Sequence, residues 1–346
     1  MYAAKEPIAL RERASIGPRT VGAATGLARS IFHQHWWIDI ATDRRWGEAA
    51  FRENGVELGC LPYPMTTKYG MRISILPSLI RTLGPLVAPL PGKASTVFRR
   101  RVEITHALID QLPRFSLFDH IFDPAITDGI AFAHRGYVLG SAYCFRINAG
   151  VAPSETWAEM TDRRRRVIRR AEAELRLAAI DDVELFCRFY EANLGKAANM
   201  HGPARMRALL DQILLHTAGA IVGAYDATGR LVAAVTLVWD TRAIYYLFGT
   251  RCPDTAENGA VSVLMWHGIQ DAARRGLTFD LDGVVSPGML QFLAGFGGQL
   301  TQRLRVRYVD RTFRFVNAVQ SVVRGSPATH SSAADAGAAQ GQCRPA

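Results

Sequence analysis

The stretch from Ala243 to Gly298 constrains the fold of this chain more than any other. Ala243-Ile-Tyr-Tyr-Leu-Phe-Gly249 is apolar and aromatic-rich and runs into a loop holding Pro253 and Asp254, the pattern of a buried strand. From Gly259 to Arg275, residues Val261, Leu264, Met265, Ile269 and Ala272 recur at three- and four-residue spacing, which predicts a helix with one apolar face. Arg274 and Arg275 suit the negative end of its dipole, and Gly276 stops it. Leu277-Thr-Phe-Asp-Leu281 predicts a second short strand, Asp282-Gly283 a turn, and Ser286-Pro287-Gly288 the start of a short helix through Leu293. Strand, helix, strand, helix in that order is a right-handed crossover unit.

The rest of the chain supplies elements for an α+β fold. Strands are expected at Ala49–Tyr63 (two, around the turn Glu53-Asn54-Gly55), Met71–Leu76, Ser116–Phe118 and Gly140–Ile147. Ala220–Asp226, Leu231–Trp239 and Ala243–Phe248 read as an antiparallel meander. Helices are expected at Ala94–Gln111, from a Ser154 cap, at Thr161–Arg176, Asp181–Leu194 and Ala204–His216, with Lys196–His201 as a loop near the cleft. Gly150 and Pro153 interrupt the pattern and suggest a boundary. The expected organisation is a mobile lead-in (1–29), a first domain (30–150), a second (151–320) and a disordered tail (325–346), with a separate mixed sheet in each domain.

Residues along this path resemble a known family. Tyr245-Tyr-Leu-Phe-Gly249, a helix closing on Arg-Arg-Gly276, Phe279-Asp-Leu-Asp-Gly283 and Gln291-Phe-Leu-Ala-Gly-Phe-Gly-Gly298 resemble the carboxy-terminal half of the FemAB-like branch of the GNAT acyltransferases. Ile31-Phe-His-Gln-His-Trp-Trp-Ile-Asp39 is similar to that branch's opening motif, and Leu61-Pro-Tyr63 with Leu83-Gly-Pro85 to its first-domain sheet. Asp128 to Phe145, Trp157 and the basic run from Arg163 resemble its middle. The resemblance spans about residues 30 to 315 and implies two GNAT-like domains, each a mixed sheet flanked by helices.

It also implies N-acyl transfer from acyl-coenzyme A, or from aminoacyl-tRNA as in Fem-type transferases, to a small-molecule or peptide amine, without a metal; the alternative is a binding module that keeps the fold without the chemistry. The donor is expected along Tyr245, Phe248 and Gly249, with its diphosphate at Gly259 and Ala260 and Arg251 nearby. Departures are visible. Ala256-Glu-Asn-Gly-Ala260 has one glycine and an acid, which repels a diphosphate. Leu293 stands where the tRNA users carry Lys, and Ala131-Phe-Ala-His134 replaces an aromatic strand motif. A transfer needs a base for the amine. Asp282, at the end of a crossover strand, is the first choice, with Tyr246 and His134 as further catalytic candidates. Trp36 and Trp37 either line the acceptor cleft or pack a helix. Arg163, Arg166 and Arg170 share one helical face and can hold phosphates or simply face solvent.

Composition narrows the partners. The net charge of +10 favours an anionic one: a nucleotide cofactor, a phosphorylated substrate or tRNA. Five scattered cysteines without Cys-x-x-Cys spacing suggest neither a zinc site nor a disulfide framework, and no apolar run is long enough to span a membrane. A cytoplasmic protein with free thiols is the plain expectation.

Overall fold

The structure is a computed structural model that describes residues 26–194, 199–255, 259–283 and 286–323, to which counts and absences refer. Most of the lead-in, the tail, and Ala256, Glu257 and Asn258 lie outside the described residues.

The first half runs α1 (His35–Thr42), β1 (Trp46–Glu53), β2 (Val56–Pro64), β3 (Thr66–Lys68), β4 (Met71–Ile75), β5 (Leu86–Val87), α2 (Ala94–Asp110), β6 (Leu117–Ile121), α3 (Ile130–His134) and β7 (Val138–Ile147). The second runs α4 (Pro153–Glu159), α5 (Asp162–Glu174), β8 (Arg176–Ala179), α6 (Val183–Ala192), α7 (Pro203–Leu215), β9 (Gly219–Tyr225), β10 (Leu231–Trp239) and β11 (Ala243–Arg251). It closes with α8 (Ala260–Arg274), β12 (Thr278–Gly283), α9 (Pro287–Ala294), β13 (Gln299–Val309) and α10 (Arg311–Val323).

The expected mixed α+β layering with flanking helices is present, but the two halves do not keep separate sheets. One ladder runs through ten strands in the order β3-β4-β6-β13-β7-β12-β11-β10-β9-β8, and β1-β2-β5 form a small second sheet. The join is made by β13, which leaves the second half and inserts antiparallel between β6 and β7 of the first. The sequence reading had no strand there. Yet Leu304, Val306 and Tyr308 alternate with Arg303, Arg305 and Arg307, the period-two pattern of a strand with one apolar and one polar face. The apolar set packs beneath α2 and α3 with Phe118 and Phe132.

Two local expectations also change. The helix after the boundary starts with Pro153 at its first position and Ala152 before it, so Ser154 is not its cap. Asp282 and Gly283 belong to β12 itself, whereas Ser286 caps α9 as expected, accepting from the Met289 N–H.

The second-half sheet is filled on both faces. On one, Val263, Leu264, Met265 and Ile269 of α8 pack against Val235, Leu237, Ile244, Phe279 and Leu281. On the other, α1, α6 and α7 contribute Trp37, Ile38, Phe186, Tyr190, Leu209 and Ile213, which meet Tyr245, Leu247 and Phe248. That second core also holds Leu79, Ile80 and Leu83, from the loop between β4 and β5. A first-half loop is thereby locked onto β11. No described helix is long and apolar enough to cross a membrane.

Candidate active site

β11 and β12 are parallel but pair only over Ala243–Thr278, Ile244–Phe279 and Tyr245–Asp280. Beyond Tyr245 each strand runs on without the other, opening a gap. A bulge in the β10–β11 ladder, where Thr236 faces Phe248 and Leu237 faces Tyr246, leaves Leu247 without a partner on β10. Its carbonyl accepts instead from Arg81 Nη2 at 2.6 Å. The same nitrogen lies 3.3 Å from Asp282 Oδ2. A first-half guanidinium therefore bridges the two strands at the mouth of the gap.

The loop carrying Arg81 is pinned at several points. Trp37 Nε1 donates to the Leu79 carbonyl at 3.0 Å, and the Leu83 N–H donates to the Ile121 carbonyl at 2.9 Å. His120 Nδ1 lies 3.1 Å from the Leu83 carbonyl, and His33 Nε2 3.1 Å from that of Gly84. The Leu83 carbonyl only accepts, so His120 carries its proton on Nδ1 and its Nε2 accepts from Ser74 at 2.9 Å; His33 Nε2 also lies 3.4 Å from the Gly84 N, and its Nδ1 lies 2.7 Å from Ser30 Oγ. Both rings are fully buried, and burial lowers them to about 4 for His33 and about 3 for His120.

Asp282 lies at a register shift between Asp280 and Gly283 with φ at +87°, a conformation that side-chain-bearing residues rarely adopt. Its N–H donates to Asp280 Oδ1 at 3.0 Å. Asp280 is buried and doubly bound by Arg303 Nη2 at 2.8 and 2.9 Å, with Arg146 Nε 3.3 Å away. Burial alone would depress the Arg303 guanidinium; Asp280, Cys144 and Asp282 outweigh it and hold it above its ordinary value.

This cluster ends a row of arginines along one face of the sheet. Cross-strand partners share a face, and β7 sets Cys144, Ala142, Gly140 and Val138 opposite Thr301, Arg303, Arg305 and Arg307 of β13. On this face small side chains of β7 stand beside arginines of β13. Asp119 of β6 pairs with Arg305 at 2.6 Å and Arg307 at 3.4 Å. Phe313 of α10 packs on Ile73 and Leu117 at the far end. Arg81, Arg146, Arg303, Arg305 and Arg307 face Asp119, Asp280 and Asp282, an excess of two positive charges. A cavity of about 350 Å³ lies elsewhere, lined by Leu58, Leu90, Arg99, Arg100 and Glu103.

The structure brings together some of the residues singled out from sequence and separates others. Asp282 is at the gap. Tyr245 is buried against Phe32 and donates to Asp240 Oδ2 at 3.1 Å, and Phe248 is core. Tyr246 faces the α8 side, with its ring over Gly249, where a Cβ would collide with it. Arg251 ends β11 opposite Ala233. Gly259 packs on Val167 of α5 so closely that a Cβ would collide there, and Ala260 and Ser262 are buried. The start of α8 is therefore covered by α5. His134 ends α3 beside His106, away from β11 and β12. Trp37 is fully buried; Trp36 stacks on His216. Arg163 and Arg166 are exposed, and Arg170 pairs with Glu174 at 2.8 Å. The arginine of that run with a defined packing role is Arg164, which lies over the rings of Phe292 and Phe296 and donates to the Phe292 carbonyl at 2.9 Å. Glu48, Glu57 and Cys60 have metal-ligand spacing, but Arg29 already pairs with both carboxylates.

Arg81 and the Arg303–Arg307 row escaped the sequence reading. The row was legible as alternation; Arg81 had no local signal, being one arginine in a loop whose partners lie far along the chain.

Residues 158–286 match the family described as acetyltransferase (GNAT) domain, a span that contains both walls of the gap. No curated protein matches the chain. Among solved structures the chain is similar to FemX, at 10% identity over 82% of this chain and 93% of that one, with a TM-score of 0.60. It is also similar to L-PGS from Bacillus licheniformis, at 12% identity over 82% and 89%, with a TM-score of 0.52. At these identities the likeness is one of fold.

Proposed function

We propose, from a chain whose residues 158–286 form a GNAT acetyltransferase domain, that this transferase moves an acyl group onto an amine in the gap between β11 and β12. The observation that carries this reading is the unpaired bulge residue Leu247 beside the splayed strand, with a cation already seated there. An acyl carbonyl laid along β11 beyond Tyr245 meets backbone polar groups that no neighbouring strand uses. The Arg81 guanidinium then stands beside the oxygen on which charge develops, in a site where water is scarce. Asp282 holds Arg81 in place. The sequence reading made Asp282 the base; its pairing with Arg81 supports a positioning role instead. The amine acceptor lies against the β7–β13 face, and the excess of arginine there supports an acceptor that carries an anionic group.

The donor we propose is an acyl-coenzyme A. The covered start of α8 does not suit its diphosphate, so no contact is assigned to Gly259 or Ala260; the exposed Arg163 and Arg166 on α5 are the cations proposed for it. That same covered helix start favours a second reading, an aminoacyl-tRNA donor, whose many phosphates need no such cradle. Against it, Leu293 is buried in the core where a Fem-type lysine is expected.

The experiment is a transfer assay with two donors: acetyl-coenzyme A, read by thiol release, and aminoacyl-tRNA, read by loss of the charged ester, each against a panel of amines with and without a carboxylate or phosphate. Thiol release that depends on an anionic amine supports the leading reading. Ester loss alone selects the second, and no amine-dependent turnover with either donor contradicts both.

A further inference from the structure

Three of the four buried histidines among the described residues are each bonded to a serine hydroxyl: His33 to Ser30, His120 to Ser74 and His201 to Ser78. In the first two, the other nitrogen is engaged by the main chain of the Arg81 loop, which leaves nothing for chemistry. His201 is different. Its Nδ1 lies 2.9 Å from Ser78 Oγ, while its Nε2 is buried with no hydrogen-bond partner. The residue is 1% exposed, so bulk solvent does not reach that nitrogen. A buried polar atom left unpaired costs about 1–3 kcal/mol, and its persistence asks for a reason.

Its surroundings supply one. The His201 ring lies 5.0 Å from that of Phe248 on β11, next to Leu247. Ser78 precedes Arg81 in the same loop, and Arg81 Nη1 is 3.5 Å from the Ser78 carbonyl while Nη2 reaches Leu247. His201 thus stands behind the guanidinium that closes the gap. Ser78 can accept from Nδ1–H as readily as it donates, so nothing around the ring forces a proton onto Nε2.

We infer that His201 is the general base of the transfer, taking the proton of the acceptor amine on Nε2 while Nδ1–H donates to Ser78. This rests on the acyl-transfer reading above. As the amine nitrogen's lone pair forms the N–C bond to the acyl carbon, its N–H proton passes to Nε2. The acyl carbon's bond to the leaving sulfur, or ester oxygen, breaks with its electron pair, and the leaving atom takes that proton from the His201 imidazolium, which restores the base. Burial first, then Arg81 and Arg205, lower the imidazole to about 4, so the ring is neutral and able to accept at pH 7. An acceptor whose anionic group engages Arg81 would also remove the charge that most opposes protonation of His201.

Two measurements decide it. Nitrogen chemical shifts of imidazole-labelled protein at pH 7 should show His201 with Nδ1 protonated and Nε2 bare; a ring protonated on Nε2 overturns the inference even if no transfer assay succeeds. His201→Asn keeps a group facing Ser78 and deletes Nε2, and His201→Gln is the second variant where the first melts early. In either folded variant kcat/KM should fall about a hundred- to ten-thousand-fold, with donor binding unchanged. A folded variant that transfers at the parental rate overturns the inference but leaves acyl transfer standing; a parental protein without transfer contradicts the function instead.

Discussion

Arg81 and Asp282 meet at 3.3 Å across the join between the two halves of the chain, and the same guanidinium donates to the Leu247 carbonyl at 2.6 Å. One side chain thereby ties a first-half loop to both strands that border the gap. Replacing Arg81 by Gln should cut transfer at least tenfold and lower stability by about 1–3 kcal/mol, since it leaves a largely buried carboxylate without its cation. Paired kinetics and urea titrations check this; a variant that loses stability but not rate would make Arg81 a strut only.

Asp282 separates two accounts of the chemistry. Asp282→Asn keeps the volume, and Asn tolerates positive φ comparatively well. If Asp282 only holds Arg81, the rate should fall about tenfold, less than general-base loss costs. A fall of about a thousandfold, with His201→Asn near the parental rate, would return the base to Asp282. Asp282→Gly should recover about 1 kcal/mol of backbone strain while still losing the Arg81 contact.

The buried carboxylate beside it has a structural role. Asp280→Asn strands Arg303 in the sheet and should cost about 3–5 kcal/mol in a urea titration. Arg303→Met alone should cost a similar amount, and the double replacement less than the sum.

Acid sensitivity follows from His33 and His120. Their folded values, about 4 and about 3, lie below the ordinary 6.5, so between those limits the unfolded chain binds protons that the folded one refuses. Their stabilising effect is complete above about pH 6.5 and declines as pH falls toward 4, by about 3 kcal/mol for each ring. Urea midpoints at pH 7 and pH 4.5 measure it, and His120→Gln should flatten the slope; an unchanged slope would show that carboxylates dominate.

Much of this architecture was legible in the sequence because it is written locally. The crossover from β11 through α8 to β12, the meander and the helix boundaries follow from periodicity and turn residues a few positions apart. What failed was non-local. β13 is easily passed over because the glycines before it read as a turn ahead of a last helix, although Arg303, Arg305 and Arg307 alternate with Leu304, Val306 and Tyr308. Asp282-Gly283 read as a turn because both residue types favour turns; a register shift instead lets β12 carry them. Trp37 reads from sequence more readily as core than as cleft, and the Leu79 carbonyl that accepts its N–H lies in that core. His201 was placed in a loop near the cleft, but its contact with Ser78 spans 123 residues and no spacing rule anticipates that.

The central claim is that the acyl group is held between β11 and β12. A structure of the protein with acetyl-coenzyme A, supported by protection of the Leu247–Gly249 amides from exchange, tests it most directly. The account predicts the thioester carbonyl against β11 beyond Tyr245, with Arg81 beside it. A thioester bound instead in the cavity of Leu58, Leu90 and Arg99, with the Arg81–Leu247 contact undisturbed, would contradict it.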